Sequence, residues 1–398
     1  MEKQINEKLA YQKTLLENRL QKQYRQLKKW ARKNQISSYR LYDRDIPEVP
    51  LCLDLYTFTS PSVKNKEEAL EEFLNEARIL SENSPSAKDV LKDIEDRTYI
   101  HMNLYQRPYE KDQAEENIWL DAMAEAAAQA VGIKKEHVIV KTRKKQSETE
   151  EGHGHRDQYE KINSSSTLTG YVFEQGQLFK VNLTDYIDTG LFFDHRPLRK
   201  LVRESCKDKS ILNLFCYTAS FSVYSAEGNA KCVESVDMSK TYIEWGKENF
   251  QLNGFDLDDI YINKSKTKSF PKYTFTRQDA IGFLNQKNAE VANEDRTNRY
   301  DIIILDPPTF SNSKRTDNTL DINRDWPELV KKCLSILNPE GILYFSTNSK
   351  RLAFSEQLLP VKEDGSPLCH VEDITNITIP QDYRNQKIHR AWKITLNN

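Results

Sequence analysis

The stretch YDIIILDPPTFSNSKR, Tyr300 to Arg315, changes character halfway along. Its first half is a near-continuous apolar run ending on an aspartate, which predicts a strand covered on both faces of a parallel sheet. The second half stiffens and then turns polar. Pro307 and Pro308 restrict the backbone and remove two N–H groups, so the chain leaves the strand as a rigid shelf. In an open α/β sheet the ligand lies beyond the carboxyl ends of the strands, at the switch in strand order. Asp306 would point into that crevice. Phe310 could stack on a base taken out of its helix, and Lys314 and Arg315 could hold the flanking phosphates. The stretch therefore predicts a platform for a nucleic-acid base.

Four more apolar runs share this pattern: ILNLF (211–215), KCVESVD (231–237), YTFTRQD (273–279) and GILYFSTN (341–348). Amphipathic segments such as KTYIEWGKENFQLNG lie between them, with Gly254 placed to end that helix. HVEDITNITI and IHRAWKIT add two closing strands. The fold class expected is α/β: a Rossmann-like, mostly parallel, seven-stranded sheet over residues 201–398. The first strand is followed by CYTASFS, which has no glycine. No strand precedes G-x-G-x-x-G or a phosphate loop, so a pyrophosphate cofactor is disfavoured, whereas S-adenosylmethionine does not require that turn. Asp237 could accept both hydroxyls of a ribose. Its plain alternative is a helix cap, but Ser239 already stands at that place. Asp279 could accept the exocyclic amine of an adenine, or cap the helix AIGFLNQ.

Upstream, residues 9–33 carry Leu16, Leu20, Leu27 and Ala31 at helical spacing. Nine basic residues fall between Arg19 and Arg44 against one acid, Asp43. Such a run is either a solvated face or a surface for RNA; residues 1–50 are expected to form a basic helical arm, with Lys28, Lys29, Arg32 and Lys33 as RNA contacts. LCLDLYT, TYIHMNLY and HVIVKTR, with the helix AEENIWLDAMAEAAAQAVGI, predict a small α+β domain over 51–166, interrupted by a charged insertion at 58–97. Lys141 and Arg143 lie on its last strand and are further RNA candidates. Residues 144–166 read as a loop. His153 and His155 have no third ligand nearby, and no metal is expected. Around Gln175-Gly176 two short strands predict a hairpin, within a segment 167–200.

The chain has 398 residues, 38% hydrophobic and 30% charged, with a formal net charge of −2. That length suggests two or more domains, and the charge balance confines any RNA binding to local patches. Six cysteines without a C-x-x-C suggest reduced thiols and a cytoplasmic protein. Neither a signal segment nor a membrane span is legible.

Five motifs together, TDYIDTGLFFDHR, NLFCYT, SVDMSKTYIEWGKENFQLNG, DPPTFSNSKR and QDYRNQKIHRAW, resemble the class I methyltransferases of bacterial large-subunit ribosomal RNA. Among these the chain looks most like the guanine-N7 type that often forms the C-terminal half of a fused two-enzyme protein. The resemblance implies S-adenosylmethionine held by Asn213, Phe215, Tyr217 and Thr218, by Asp237 and Met238, by Asp279 and Ala280, and by Asp306. It also implies that the DTGLFFDHR segment closes over the cofactor through Asp194 and Arg196. The substrate implied is a guanine in domain V of 23S ribosomal RNA. A guanine-N2 methyltransferase, fused in those relatives, becomes a possible separate partner. Ala219 stands where the family often has glycine.

Cytosine-C5 transfer needs a thiolate at the shelf, and DPPTF offers none. Guanine N7 carries an in-plane lone pair and needs alignment rather than a general base. The catalytic set expected is Asp306, Pro307, Pro308 and Phe310. An exocyclic-amine target remains the nearest alternative. A non-catalytic RNA-binding assembly factor with the same fold is the alternative from another class.

Overall fold

The computed structural model describes residues 2–82, 84–105, 112–143, 166–263, 268–292, 299–311 and 319–397. Lys314, Arg315, His153 and His155 lie outside them, as does the side chain of Arg143. The chain forms two compact units: Met1–Phe193 with Asp382–Arg384, and Asp194–Gln381 with Asn385–Asn398.

The first unit opens with α1 (Glu2–Lys33) and contains a four-stranded sheet of β1 (Ser38–Asp43), β2 (Leu51–Thr57), β3 (Thr98–Tyr105) and β4 (Val138–Arg143), in that order. The β3–β4 pair is parallel, and its crossover is α4 (Gln113–Val131). Asp112 caps α4 by accepting from the N–H groups of Ala114 and Glu115, and Gly132 ends it with φ 86°. The predicted stripe of α1 is buried, but it makes α1 part of the core rather than a separate arm. Leu16, Leu20, Leu27 and Ala31 share a cluster with the alanines of α4, whose small side chains admit a second helix at close range.

Strand β1 was not expected, because SYRLYD sits inside the basic run. Its Arg40 is paired with Asp54 across the sheet, while Arg19 is paired with Asp45 and Arg44 with Asp43. Acids outside the run thus offset part of the charge. The insertion forms α2 (Lys66–Ser81) and α3 (Ala87–Asp96), which Arg97 ties together through Glu72, Glu76 and Asp93. The hairpin of β5 (Thr169–Glu174) and β6 (Gln177–Asn182) turns on Gln175 and Gly176, both with positive φ. It belongs to this unit through backbone bonds such as Ser37 N–H to Phe173 O.

In the second unit, β7 (Ser210–Leu214) and β8 (Cys232–Asp237) are followed by a two-stranded ribbon of β9 (Ile260–Asn263) and β10 (Lys268–Pro271). Then come β11 (Tyr273–Arg277), β12 (Tyr300–Leu305), the short pair β13 (Phe310–Ser311) and β14 (Leu320–Asp321), and β15 (Leu337–Thr347), β16 (Cys369–Asp373) and β17 (Arg390–Leu396). The main sheet has seven strands in the order β11-β8-β7-β12-β15-β17-β16, with only the β17 pairings antiparallel. This is the expected Rossmann-like architecture. Its helices are α5 (Arg196–Ser205), α6 (Ser220–Glu227), α7 (Lys240–Leu252), α8 (Ala280–Ala292), α9 (Ile322–Ser335) and α10 (Thr375–Thr378). Strand order reverses between β7 and β12, so the crevice lies over the loops that follow those two strands. Trp326, Phe354 and Trp392 stack at centroid separations of 4.6 and 4.4 Å, fixing the chain after β15 against the sheet. No helix among the described residues is long and apolar enough to cross a membrane.

Candidate active site

The loop after β7 is strained. Phe215, Tyr217 and Ala219 have φ of 55°, 52° and 62°, a region where each non-glycine residue costs roughly 1–2 kcal/mol. The loop is fastened to the end of β8: Cys216 N–H donates to Val236 O, and Tyr217 N–H donates to Asp237 Oδ2 at 3.0 Å. Close approach of α7 explains where room was found for Ala219. A Cβ built on Gly246 would lie 2.9 Å from the Cβ of Ala219, so the missing methyl is on the helix rather than in the loop.

Asp237 also accepts from Ser239 N–H at 2.8 Å, while the Ser239 hydroxyl caps α7 by accepting from Tyr242 N–H. Burial raises the Asp237 carboxyl to about 6, although these backbone N–H groups pull the other way. Asp279 takes the role of a cap, accepting from Gly282 N–H at 2.9 Å, and Ala280 packs in the core. The Asn213 side chain lies beneath the loop and donates to Ser222 Oγ at 2.9 Å. Thr218 accepts from the Asn249 amide through its carbonyl, and Met238 accepts from Arg277 in the same way. Phe215 is packed against the core.

Asp306, at the end of β12, is gripped from two sides. His195 Nε2 lies 2.9 Å from Oδ2, and Ser346 Oγ donates to Oδ1 at 2.6 Å. Burial would raise this carboxyl, but the His195 charge and hydrogen bond, together with the Ser346 hydroxyl, outweigh it and hold the group below the usual carboxylate range. Burial likewise works against a charged His195, yet the Asp306 and Asp194 carboxylates overcome it, with Arg199 opposing, and raise His195 to about 9. Asp194 also faces His389, whose Nδ1 is 3.4 Å from Asp194 Oδ2. Arg196 is buried at the first turn of α5. The shelf is pinned where Thr309 Oγ1 donates to Asn348 Oδ1 at 2.8 Å and Thr309 O accepts from Ile322 N–H. Pro307 is buried and Pro308 half-buried. Phe310 is 37% exposed, so it is not a core residue.

His195, Ser346 and His389 were not among the residues singled out from sequence. His195 lies between two candidates, Asp194 and Arg196, and His389 within the motif QDYRNQKIHRAW.

The basic residues divide. Lys29 and Lys33 are exposed, whereas Lys28 and Arg32 line a small cavity, about 90 Å³, with Tyr24, Phe58, Phe73 and Glu76. Lys141 is not a free cation on the surface, because its ammonium donates to the Tyr186 carbonyl. Cys216 and Cys333 are buried, which pushes both thiols up.

A seven-stranded sheet in this order, with one antiparallel strand inserted, has the architecture of the class I methyltransferases. The family model for S-adenosylmethionine-dependent methyltransferases matches residues 99–381, and the chain belongs to that family. Its cofactor is S-adenosylmethionine. The chain is similar to "Ribosomal RNA large subunit methyltransferase K/L" of Pseudomonas fluorescens, 36% identical over 380 residues, and of Pseudomonas aeruginosa, 35% identical over 381. Each match covers 95% of this chain but only 40% and 42% of the relative, so the chain spans about two fifths of their length. The crystal structure of SMU.776 complexed with SAH shares the fold, with a TM-score of 0.62 and 18% identity over 96% of this chain and 82% of that one. A second structure, from Streptococcus mutans, matches at a TM-score of 0.60 with 17% identity, over 96% and 81% of the two chains.

Proposed function

We propose that the chain methylates N7 of a guanine in bacterial 23S ribosomal RNA, in domain V, and works in the cytoplasm. The observation that carries this reading is the ionised, doubly hydrogen-bonded Asp306 at the switch point, one turn of chain before the exposed Phe310. The similarity to K/L-type relatives supplies the substrate class.

S-adenosylmethionine supplies an electrophilic methyl on a sulfonium. Asp237 suits its ribose, since a carboxylate anchored by two backbone N–H groups keeps lone pairs for two hydroxyls. The left-handed loop Phe215–Ala219 lets the chain turn without glycine beside it. Asp279 is committed to its helix through one oxygen and would meet the adenine with the other. Asp194, Arg196, Met238 and the loop residues Tyr217 and Thr218 would complete the cofactor's surroundings.

On the substrate side Phe310 stacks on the base, and Asp306 accepts from its polar edge. N7 lies in the deep groove of A-form RNA, so the base must be extruded first. Its lone pair needs no deprotonation, which suits an Asp306 held by His195 and Ser346 rather than poised to take a proton. The buried, protonated Cys216 and Cys333 weigh against cytosine C5. Lys29 and Lys33, with Lys314 and Arg315, would meet phosphates. A separate guanine-N2 methyltransferase is the partner this reading adds.

The test is mass spectrometry of 23S ribosomal RNA nucleosides from cells with and without the gene, with calorimetry of S-adenosylmethionine binding. Loss of one 7-methylguanosine supports the reading. Loss of N2-methylguanosine, N6-methyladenosine or 5-methylcytidine instead would refute it. Unchanged nucleosides and no cofactor binding would mark a non-catalytic assembly factor.

A further inference from the structure

On the guanine-N7 reading above, on which this inference rests, we propose that Asn348 selects guanine by donating from its side-chain amide to O6 of the extruded base. β12 and β15 are parallel neighbours, in register at Leu305 and Phe345. One step further along, Ser346 donates to Asp306 at 2.6 Å, and Asn348 stands two residues beyond, just past the end of β15. Thr309 Oγ1 reaches across from the shelf and donates to Asn348 Oδ1 at 2.8 Å. This bond turns the amide oxygen toward the shelf. It leaves the amide nitrogen, with two N–H donors, free of partners among the described residues. Asn348 is exposed, whereas Ser346, Thr347 and Ser349 around it are buried.

An extruded base loses its Watson–Crick partner, and a site that reads that edge must replace the partner's hydrogen bonds. For guanine the partner is cytosine, whose edge offers one donor, to O6, and then two acceptors, to N1–H and the N2 amine. The crevice holds the same set. Asp306 supplies the two acceptors. Oδ2 already meets His195 and Oδ1 already accepts from Ser346, but each oxygen of an ionised carboxylate has a second lone pair. The Asp306 side chain is 27% exposed, so those lone pairs remain within reach of a ligand. Asn348 supplies the donor on the neighbouring strand.

The same set rejects the other bases. Adenine carries an amine where guanine has O6, so two donors would face each other, and its N1 lone pair would meet a carboxylate. Cytosine repeats both conflicts. Uracil matches at O4 and N3–H but sets its second carbonyl against the other carboxylate oxygen. Polar groups left unpaired or opposed cost more than the bond they lose, which is how a hydrogen-bonding pocket discriminates. O6 also neighbours N7 on one edge of guanine, so a grip on O6 fixes where the nucleophile lies along the shelf. Thr309, which holds the amide, is then a positioning residue.

The test starts with the unaltered full chain, S-adenosylmethionine and 23S ribosomal RNA from cells lacking the gene, with mass spectrometry locating the product. The RNA is then rebuilt by ligation around a synthetic segment that carries either guanine or 2,6-diaminopurine at the methylated position. Diaminopurine keeps N7 and the 2-amine but has an amine in place of O6. We expect the unaltered chain to favour guanine in kcat/KM. Asn348→Asp, assayed above neutral pH, should lower that preference by about 5–150-fold. The new carboxylate still accepts from Thr309 Oγ1, so a side chain that only pins the shelf would leave the preference unchanged. An unchanged preference in an active enzyme overturns this proposal alone. An unaltered chain that forms no 7-methylguanosine overturns the guanine-N7 reading and this proposal with it. Should Asn348→Asp fail to fold, Asn348→Ala reads the same ratio, which must fall because only guanine loses a donor.

Discussion

His195 and Asp306, 111 residues apart, meet through a 2.9 Å contact between Nε2 and Oδ2. The pair couples the stretch that opens the second unit to the shelf after β12. Removing the imidazole should leave a partly buried carboxylate short of one charge-assisted bond. His195→Ala is therefore expected to lower stability by about 1.5–3 kcal/mol, while His195→Gln, which still offers an N–H, recovers part of that. Urea unfolding of both variants checks this, and equal losses would show that the ring acts by volume and not by its proton.

Asp237 should make cofactor affinity depend on pH. Its folded value of about 6 lies above the ordinary 3.8, so the cofactor-free fold favours the protonated group. The stability it contributes is complete below 3.8 and is lost as pH rises through about 6. Binding has the opposite sign, because only the carboxylate accepts both ribose hydroxyls. Calorimetry should show affinity rising through pH 6 in the parent and flat in Asp237→Asn. Asp237→Ala should weaken binding by about 10–150-fold.

Gly246 and Ala219 should be energetically coupled. Gly246→Ala places a methyl 2.9 Å from Ala219 Cβ and from Phe275 Cε1, an overpacking expected to cost about 1–3 kcal/mol. Ala219→Gly relieves a left-handed alanine and should stabilise by about 1 kcal/mol. The double variant should regain more than the sum of the two, because the second change makes space for the first. Strict additivity in denaturant midpoints would contradict the close approach.

Phe310 should matter to turnover and little to folding. At 37% exposure, Phe310→Ala lacks the roughly 3–5 kcal/mol penalty of an emptied core site. Loss of a stacked base should instead remove about 1–3 kcal/mol of RNA interaction. Methylation assays should rank Tyr and Trp above Leu at this position. If Leu equals Tyr, stacking is not the role.

The sheet could be read from sequence because buried parallel strands leave unbroken apolar runs, as in YDIIILD, and the stripe Leu16, Leu20, Leu27, Ala31 marked α1 for the same reason. What stayed hidden depends on contacts distant along the chain. Strand β1 looked basic until Asp54 and Asp45 were seen to pair with Arg40 and Arg19. Asp279 offered two roles, and only the bond to Gly282 N–H shows its engagement as a cap. His195 and His389 stand in different motifs, and nothing local in either says that both turn to Asp194. Lys28 and Lys29 look alike on paper, but helical geometry puts one in a cavity wall and the other in water.

Asp382–Arg384 belong to the first unit although nearly two hundred residues separate them from the rest of it. Arg40 N–H donates to Asp382 Oδ2 at 3.0 Å, the Arg40 guanidinium lies 4.8 Å from the centre of the Tyr383 ring, and Arg384 approaches Asp45. A gene severed after codon 193 would therefore encode an incomplete first unit. A single crossover at that point would exchange only part of the module, because codons 382–384 would stay with the other parent.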